Sequence, residues 1–362
     1  MNRAWVPPLI TGIISLMIFS MVVLGSDGDP LSLARIGTYY QEGDPTGSRG
    51  YDGQFVYYIA KTPSPHQAEA KLDVPAYRYQ RILLPIIAHF ASFRNQSLIP
   101  WLIPGLNLIS HIIGTWGLAI LLKQAGKNPL NALFYGLWAG GLLSLRLDLS
   151  EPLAFSLVIL AVLAVKHSKE SIGWFLYGLA IFTKEVVVLF IIAQILAYLI
   201  DKKVRQAAGL FLIAIIPYAI FQYWLKVQFG SFGLGSGGAM ATGFEWIPLL
   251  GFMKIAGSSV ILFIIYLIVF GPFLIYPALW GIWKSLSQIS KGQLDFEVIV
   301  LGLQGVSFLF LPFSTFREPG GLLRYGTGFI LALILYLQKH ENPAFWKYAP
   351  AAWVLNLFLL EV

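Results

Sequence analysis

Long apolar segments separated by short basic clusters dominate the sequence and constrain its fold more than any other feature. Of the 362 residues, 57% are hydrophobic and only 12% are charged, whereas soluble proteins are ordinarily about half apolar and about a quarter charged. A helix needs about 20 apolar residues to cross a bilayer. We therefore predict an all-α polytopic transmembrane helical bundle of about nine to eleven spans, in a single membrane domain covering residues 1–362.

The candidate spans are apolar runs bounded by charged residues, proline or glycine. The first follows a single arginine, Arg3, but is too long for the apolar core of a cleaved signal and lacks a small-residue cleavage site, so we expect it to remain as a span. Two segments, 171–183 and 185–200, are shorter than a usual span and form either a tight helical pair or two thinly matched spans. The full set is 5–25, 98–122, 129–145, 152–166, 171–183, 185–200, 206–225, 257–283, 295–314, 323–338 and 345–360.

Lysine and arginine indicate the orientation of the spans. When the N-terminus is placed inside, every loop on that side is basic, from Arg3 through Lys202 to Lys347. Because cytoplasmic loops are enriched in these residues, we predict a cytoplasmic N-terminus and an extracytoplasmic face that carries the chemistry. The same clusters account for the formal net charge of +7, and no basic stripe accompanies them, so no nucleic-acid partner is expected.

Charged residues stand at several helix ends on the predicted outer face. Ionisable groups at membrane depth are costly and usually functional, so these residues are candidates for contact with a substrate. For two of the groups an ion pair within the helix end is an equal alternative, Arg146 with Asp148 and Lys184 with Glu185. The residues concerned are Arg146, Asp148 and Glu151; Lys184 and Glu185; and Arg317, Glu318 and Arg324.

The first outer loop, residues 26–81, changes character along its length. Proline, glycine and aspartate break its first half. Beyond them Phe55, Tyr58 and Ile59 recur at helical spacing, which predicts a short amphipathic helix on the membrane surface. Asp52 precedes this helix, and from spacing alone a helix cap is at least as good an interpretation of its carboxylate as a catalytic role.

The same loop ends in the run 77–81, YRYQR. The guanidinium groups of Arg78 and Arg81, with Tyr79 between them, suit a phosphate and the face of a sugar. The equal alternative is an interfacial belt, in which aromatic rings and snorkelling arginines meet the lipid head groups. A second interfacial helix, too short to span, is predicted over 81–93.

A second outer loop, the Gly-rich loop at 226–246, contains FGSFGLGSGGAMATG. Long loops without regular structure often act as lids, so a lid over an acceptor groove is one interpretation and a flexible connector is the other. The loop has no GxxxxGK pattern and follows no predicted strand, which argues against a nucleotide-phosphate site.

Residues 50–60, GYDGQFVYYIA, resemble the W/Y-D-G-x-x-Y-x-x-I-A signature that follows the first span in membrane glycosyltransferases of the C superfamily. The resemblance points to the GPI-mannosyltransferase-like branch and its uncharacterised bacterial relatives. Weaker similarity lies at 77–85, which resembles an R-x-x-R-x-x-x-P segment, at 148–152, which resembles an acidic S/T-E-P turn, and at 182–185, which resembles a T-K-E turn. The resemblance implies an integral protein of a bacterial plasma membrane.

In that superfamily the donor is a sugar on a polyprenyl phosphate, and the resemblance implies a lipid or glycan acceptor outside the cytoplasm. Carried over to this sequence, it makes Asp52 the general base that deprotonates the acceptor hydroxyl. Many members carry a second acidic residue where Gly53 stands here, so a divalent metal or any other cofactor lacks support. The candidates for the donor phosphate are Arg78, Arg81, Lys184, Arg317 and Arg324, and the other substrate-binding candidates are Tyr58, Tyr79, Asp148, Glu151 and Glu185.

Two other classes of protein compete with this interpretation. A transporter or flippase for a lipid-linked or small solute would also carry intramembrane charges, but such folds are usually built from two related halves with helix breaks at the midplane. No internal repeat is evident, and the midplane segments 191–196 and 260–270 are uncharged. A non-catalytic membrane scaffold would leave the long polar loop and its arginines unexplained.

Overall fold

Regular structure in this protein is helical. The computed structural model describes residues 3–340 and 343–360, and within these ranges 22 α-helices are joined by short 3-10 helices, π-helical turns and loops, without a strand. The predicted all-α class is therefore confirmed for the described chain.

The helices follow one another closely along the chain. The first are α1 Val6–Leu24, α2 Leu31–Ala34, α3 Thr38–Glu42, α4 Gly53–Lys61, α5 Pro65–Ala68, α6 Pro75–Tyr79, α7 Leu83–Ala91, α8 Ile99–Gln124, α9 Leu133–Gly136, α10 Ala139–Arg146 and α11 Glu151–Lys166. They continue with α12 Glu170–Thr183, α13 Val188–Ile200, α14 Val204–Leu210, α15 Ile216–Phe229, α16 Leu250–Ser258, α17 Val260–Phe270, α18 Tyr276–Ile289, α19 Phe296–Leu309, α20 Phe313–Arg317, α21 Pro319–Lys339 and α22 Pro343–Tyr348. π-Helical turns join α14 to α15 and α17 to α18, and a 3-10 helix, Ala349–Leu360, follows α22.

Several helical stretches have the length and composition of membrane spans. Large apolar side chains on them are exposed, among them Met21, Ile220 and Ile268, and extensive exposed apolar surface is typical of contact with a membrane. These features support an integral membrane protein. Within residues 3–340 and 343–360, five stretches are long and apolar enough to cross a bilayer: Val6–Leu24, Gln96–Gln124, Val204–Phe229, Val260–Ile289 and Pro319–Lys339.

The other predicted spans correspond to shorter helices. The stretches Glu185–Ile200 and Phe296–Leu309 are apolar but short, and α11 has 16 residues. A helix of that length reaches about 24 Å, less than the hydrocarbon core of about 30 Å. The last predicted span, 345–360, is mostly the 3-10 helix Ala349–Leu360.

The span predicted over 129–145 is not one continuous helix. A 3-10 turn, Pro129–Ala132, leads into α9, and Trp138 then takes an extended backbone conformation before α10 begins. The indole nitrogen of Trp138 donates a hydrogen bond to the carbonyl of Leu323 in α21 at 3.0 Å. This buried contact between distant parts of the chain, which hydrophobic periodicity does not reveal, holds the segment against α21.

Gly140 offers a direct test of this packing. A Cβ atom at Gly140 would lie 1.9 Å from the carbonyl oxygen of Leu323, so Gly140→Ala must push α10 and α21 apart. We expect a loss of about 1–3 kcal/mol, seen as a lower Tm in thermal unfolding of the detergent-solubilised protein. Gly105→Ala in α8 is the matched control, because its Cβ atom would meet nothing within 4 Å and alanine favours a helix. Equal Tm values for the two variants would contradict the close packing.

The short helix predicted after Asp52 is present as α4, and the second predicted interfacial helix is present as α7. Protein covers both faces of α4, so its apolar side chains pack against other helices. Phe55 and Ile59 pack with side chains of α5, α6 and α15, while Tyr57 and Ala60 pack with side chains of α7 and α8. The residue that precedes α4 is therefore held by the interior of the protein.

Candidate active site

Asp52 immediately precedes α4, but its side chain does not cap the helix. The carboxylate makes no capping hydrogen bond, and the helix-cap interpretation of this side chain is therefore wrong. Its Oδ1 lies 3.0 Å from Nη1 of Arg78, and its Oδ2 lies 3.3 Å from Nη1 of Arg324. Asp52 thus connects α6, which carries Arg78, to α21, which carries Arg324.

Arg78 is held by a second carboxylate, that of Asp73. Nε and Nη2 of Arg78 donate to the two carboxylate oxygens of Asp73 at 2.7 and 2.8 Å, and the guanidinium carbon lies 4.2 Å from the centre of the Phe55 ring. The sequence singled out Arg78 but not Asp73, which belongs to no recognised motif. The only feature of the sequence that could have indicated the pair is the position of Asp73 five residues before Arg78, in the run LDVPAYR.

Arg324 is likewise surrounded by acidic and aromatic groups at the start of α21. Its Nη2 lies 3.6 Å from Glu318, and its guanidinium carbon lies 5.2 Å from the centre of the Tyr51 ring. The hydroxyl of Tyr51 in turn donates a hydrogen bond to Glu318. Two residues of the first loop, Tyr51 and Asp52, are therefore fixed to the same end of α21.

Two further ion pairs complete the site. Nε and Nη2 of Arg81 donate to the carboxylate of Glu185 at 2.8 and 2.5 Å, and Nη2 also donates to the hydroxyl of Tyr77 at 2.6 Å. Nζ of Lys184 donates to the carboxylate of Glu151 at the start of α11. All four ion-paired side chains are less than one-fifth exposed.

The predicted ion pair between Lys184 and Glu185 is therefore wrong. The backbone at Lys184 is extended, with φ −156° and ψ 126°, where α12 ends. Successive side chains on extended backbone point in opposite directions, so Lys184 reaches Glu151 while Glu185 reaches Arg81. The turn at Lys184 and Glu185 is therefore linked to two other segments of the chain, through Glu151 and through Arg81.

These groups surround a pocket that encloses about 400 Å³ of empty space, part of it open to solvent. Five segments contribute charged side chains to it, and Phe55, Val56 and Ile59 of α4 form an apolar wall. The charged groups in the lining are Asp52, Arg78, Arg81, Glu151, Lys184 and Arg324. The structure thus brings together residues that lie far apart in the sequence.

Every cation in the pocket has a carboxylate partner. Arg78, Arg81, Lys184 and Arg324 are paired with Asp52, Asp73, Glu151, Glu185 and Glu318. Because the five carboxylates outnumber the four cations, an anionic ligand that binds these cations must compete with a carboxylate.

Asp52 is ionised in this arrangement. Burial by itself would raise the pKa of its carboxyl, but the charges of Arg78 and Arg324 outweigh that effect and hold the pKa below its ordinary value. Its side chain is 30% exposed. The other charged side chains of the pocket lining are each less exposed than this. Asp52 is therefore the carboxylate that a ligand reaches first.

Five of the predicted substrate-binding residues lie outside the pocket lining. The hydroxyl of Tyr79 donates to the carbonyl of Pro63 at 2.9 Å, and Tyr58 packs into the cluster between α4 and α8. Arg317 is exposed, near the ring of Phe313. The fourth, Glu185, is outside the lining but is paired with Arg81, which is part of it. The fifth, Asp148, is described next.

Asp148 is buried and isolated between α10 and α11. It is 1% exposed, and its Oδ1 has no hydrogen-bond partner within the described chain. Nη1 of Arg146 also lacks a partner there, so the predicted pair of Arg146 with Asp148 is wrong. Burial raises the pKa of Asp148 well above its ordinary value, which favours the neutral acid.

Gly53 explains why no second acidic residue follows Asp52. A Cβ atom at this position would lie 2.1 Å from the carbonyl oxygen of Leu147, so close packing of α4 against the turn after α10 leaves no room for a side chain. Among residues 3–340 and 343–360, no group of three or more histidine, cysteine, aspartate or glutamate side chains is placed to hold a metal ion.

The Gly-rich loop lies across α6 and is tied to the site through Asp73. The backbone nitrogen of Ala239 donates to Oδ2 of Asp73 at 3.0 Å, and that of Leu234 donates to Gln222 of α15 at 3.0 Å. Thr242 is hydrogen bonded to Ser314 of α20. The loop therefore makes specific contacts on both sides of the pocket.

The fold and the pocket define a helical membrane protein with a charged site at the junction of its first loop and its helix ends. Comparisons of the chain with protein-family models, with curated proteins and with solved structures give no match. The similarity of residues 50–60 to the C superfamily thus stays a prediction from the sequence.

The pair of Arg81 with Glu185 provides a test of the site's electrostatics. Glu185→Gln leaves the Arg81 guanidinium with its charge but without its carboxylate, which we expect to cost about 3 kcal/mol and to lower Tm. The double variant Arg81→Met, Glu185→Leu removes both charges and should recover most of that loss. Glu42→Gln, at an exposed glutamate in the first loop, is the control for the same chemical change. A double variant no more stable than Glu185→Gln would refute a coupled pair.

Proposed function

We propose that the protein is a membrane glycosyltransferase, which moves a sugar from a polyprenyl-phosphate donor to an acceptor hydroxyl at the extracytoplasmic face. The observation that carries the proposal is the carboxylate of Asp52, held between two guanidinium groups at a pocket that also contains Arg81 and Lys184. Glycosyl transfer needs a carboxylate to take the acceptor proton and cations to stabilise the departing phosphate. The resemblance of residues 50–60 to the C superfamily supports the same function.

In the proposed reaction the acceptor oxygen forms a bond to the anomeric carbon of the donor sugar, and the bond from that carbon to the phosphate oxygen breaks. Asp52 takes the proton of the acceptor hydroxyl. The polyprenyl phosphate leaves with the bonding electron pair, and neighbouring arginines stabilise its added negative charge. Attack on the face opposite the phosphate inverts the configuration of the sugar.

Asp52 becomes an effective base by exchanging partners. A carboxylate whose pKa is held below its ordinary value is a weak base near neutral pH. Phosphate accepts charge-assisted hydrogen bonds from arginine strongly, so the donor phosphate replaces Asp52 as the partner of Arg78 and Arg324. The pKa of Asp52 then rises, and its carboxylate is free to receive the acceptor proton.

The geometry of the two arginines suits such an exchange. Nε and Nη2 of Arg78 are bound to Asp73, whereas Nη1 is the nitrogen that contacts Asp52. Nε of Arg324 donates to the carbonyl of Gly320 at 3.3 Å, and its Nη1 contacts Asp52. Each side chain therefore keeps an anchor while one nitrogen changes from carboxylate to phosphate.

Asp52→Asn tests the assignment of the base. General-base catalysis contributes about 10²–10⁴-fold to a rate, so we expect the purified variant to transfer sugar at least about 100-fold more slowly than the wild type, with a panel of polyprenyl-phosphate sugars as donors. Asp27→Asn is the matched control, because Asp27 is exposed in the same loop and has a positive φ of 54°, which asparagine tolerates.

The outcomes of that assay separate the candidate functions. Equal transfer by Asp52→Asn and the wild type would show that another group is the base. Absence of transfer with every donor, together with solute uptake in liposomes that charge substitutions in the pocket abolish, would establish the transporter or flippase instead.

Arg324→Gln tests the exchange of partners through pH dependence. In the free enzyme Arg324 helps to lower the pKa of Asp52, so its removal should raise that pKa, and the acidic limb of the kcat/KM profile should move to higher pH. Lys61→Gln, at an exposed lysine at the end of α4, removes the same charge away from the pocket and should leave the limb unchanged. A limb that stays in place in both variants would show that Arg324 does not lower the pKa of Asp52, which would remove the basis of the exchange.

A further inference from the structure

A second cavity lies between α1 and α8, apart from the charged pocket. Its walls are apolar, with Ile18 and Phe19 from α1 and Pro104 and Leu108 from α8, and Arg146 of α10 closes one side. It is a narrow crevice, with about 240 Å³ of space free of protein atoms when the space open to the surroundings is included. Among the described residues its lining shares none with the charged pocket. We call it the α1–α8 groove.

Two polar side chains in the lining of this groove lack partners. Ser15 of α1 is 2% exposed, and its Oγ makes no hydrogen bond within the described chain. Nη1 of Arg146 is also buried and without a partner among residues 3–340 and 343–360. Burial and the charge of Arg35, a second cation, both disfavour the positive charge of Arg146. The side chain as a whole is only partly buried, but a buried donor without a partner is costly, and an anion at Nη1 would relieve that cost.

The groove lies at the level of the charged pocket and beside apolar surface. Asn107, in the same turn of α8 as the groove, donates a hydrogen bond at 2.8 Å to the carbonyl of Leu149, which lines the charged pocket. On α1, Leu16 and Met17 next to the groove are exposed. An anion bound to Arg146 therefore lies at the depth of the site's polar groups, and a hydrocarbon chain attached to it can follow α1.

We propose that the α1–α8 groove binds the phosphate of an anionic phospholipid. Arg146 and the hydroxyl of Ser15 donate hydrogen bonds to the phosphate oxygens, Arg35 adds positive charge, and Phe19 and Leu108 contact the first carbons of an acyl chain. The occupant is a resident lipid rather than the glycosyl donor, because the groove shares no lining residue with the pocket that contains Asp52.

The binding of single lipids by the purified protein tests this site. In native mass spectrometry with lipid titration, we expect the wild type to bind phosphatidylglycerol at least about tenfold more tightly than zwitterionic phosphatidylcholine. Arg146→Gln should weaken phosphatidylglycerol binding at least about tenfold. Arg94→Gln is the matched control, because Arg94 is exposed in the turn before α8 and the same charge is lost outside the groove. Its affinity should stay within about twofold of the wild type.

A second variant keeps the test decisive if Arg146→Gln fails to fold. Leu108→Trp fills the groove without changing its charge and should weaken phosphatidylglycerol binding by a similar factor. Equal binding by the wild type and both groove variants would overturn the proposal, as would equal affinity for phosphatidylcholine. An Arg146-dependent preference for polyprenyl phosphate over phosphatidylglycerol would refute the resident phospholipid. None of these readouts depends on sugar transfer.

Discussion

The two salt bridges of Asp52 are the interaction on which the rest of the site depends. They join α4 to α6 through Arg78 and to α21 through Arg324. Because α21 is packed between α10 and α19 and 83% of its most apolar stretch is buried, the core of the bundle sets the position of Asp52. Ordering a loop residue against two long side chains costs conformational entropy, and the burial of both faces of α4 offsets that cost.

Charges of alternating sign link the Gly-rich loop to α21. Asp73 accepts from the backbone of Ala239 and from Arg78, Arg78 contacts Asp52, and Asp52 contacts Arg324. Removing one member of such a chain leaves its neighbour buried without a counter-charge, so the members stabilise one another. A ligand that takes Arg78 from Asp52 also acts on the group that holds the Gly-rich loop. The sequence allowed two interpretations of this loop, a lid and a flexible connector. Its hydrogen bond to Asp73 favours the lid, because it couples the loop to the pocket.

Hydrophobic patterns and turn residues predicted the parts of the fold that local chemistry determines. They gave the helical class, the helix after Asp52 and the charged positions around the pocket. They did not predict which charged side chains form ion pairs with each other, because those pairs depend on the packing of segments that are distant in the sequence. Lys184 was matched with its neighbour Glu185, yet extended backbone sends the two side chains to different partners. Asp73 carried no motif, and the break at Trp138 follows from a hydrogen bond to another helix.

The arginines of the charged pocket differ electrostatically from Arg146 of the α1–α8 groove, and the difference bears on what each can bind. Those of the pocket have carboxylate partners, so a phosphate there competes with a group that returns when the phosphate leaves. That competition weakens binding, which suits the proposed glycosyl transfer because its product must leave in every cycle. Arg146 meets no such competitor at Nη1 within the described residues, so an anion that binds this nitrogen satisfies a donor that has no other partner there. Arginines paired with carboxylates therefore favour the release of a bound anion, whereas Arg146 favours its retention.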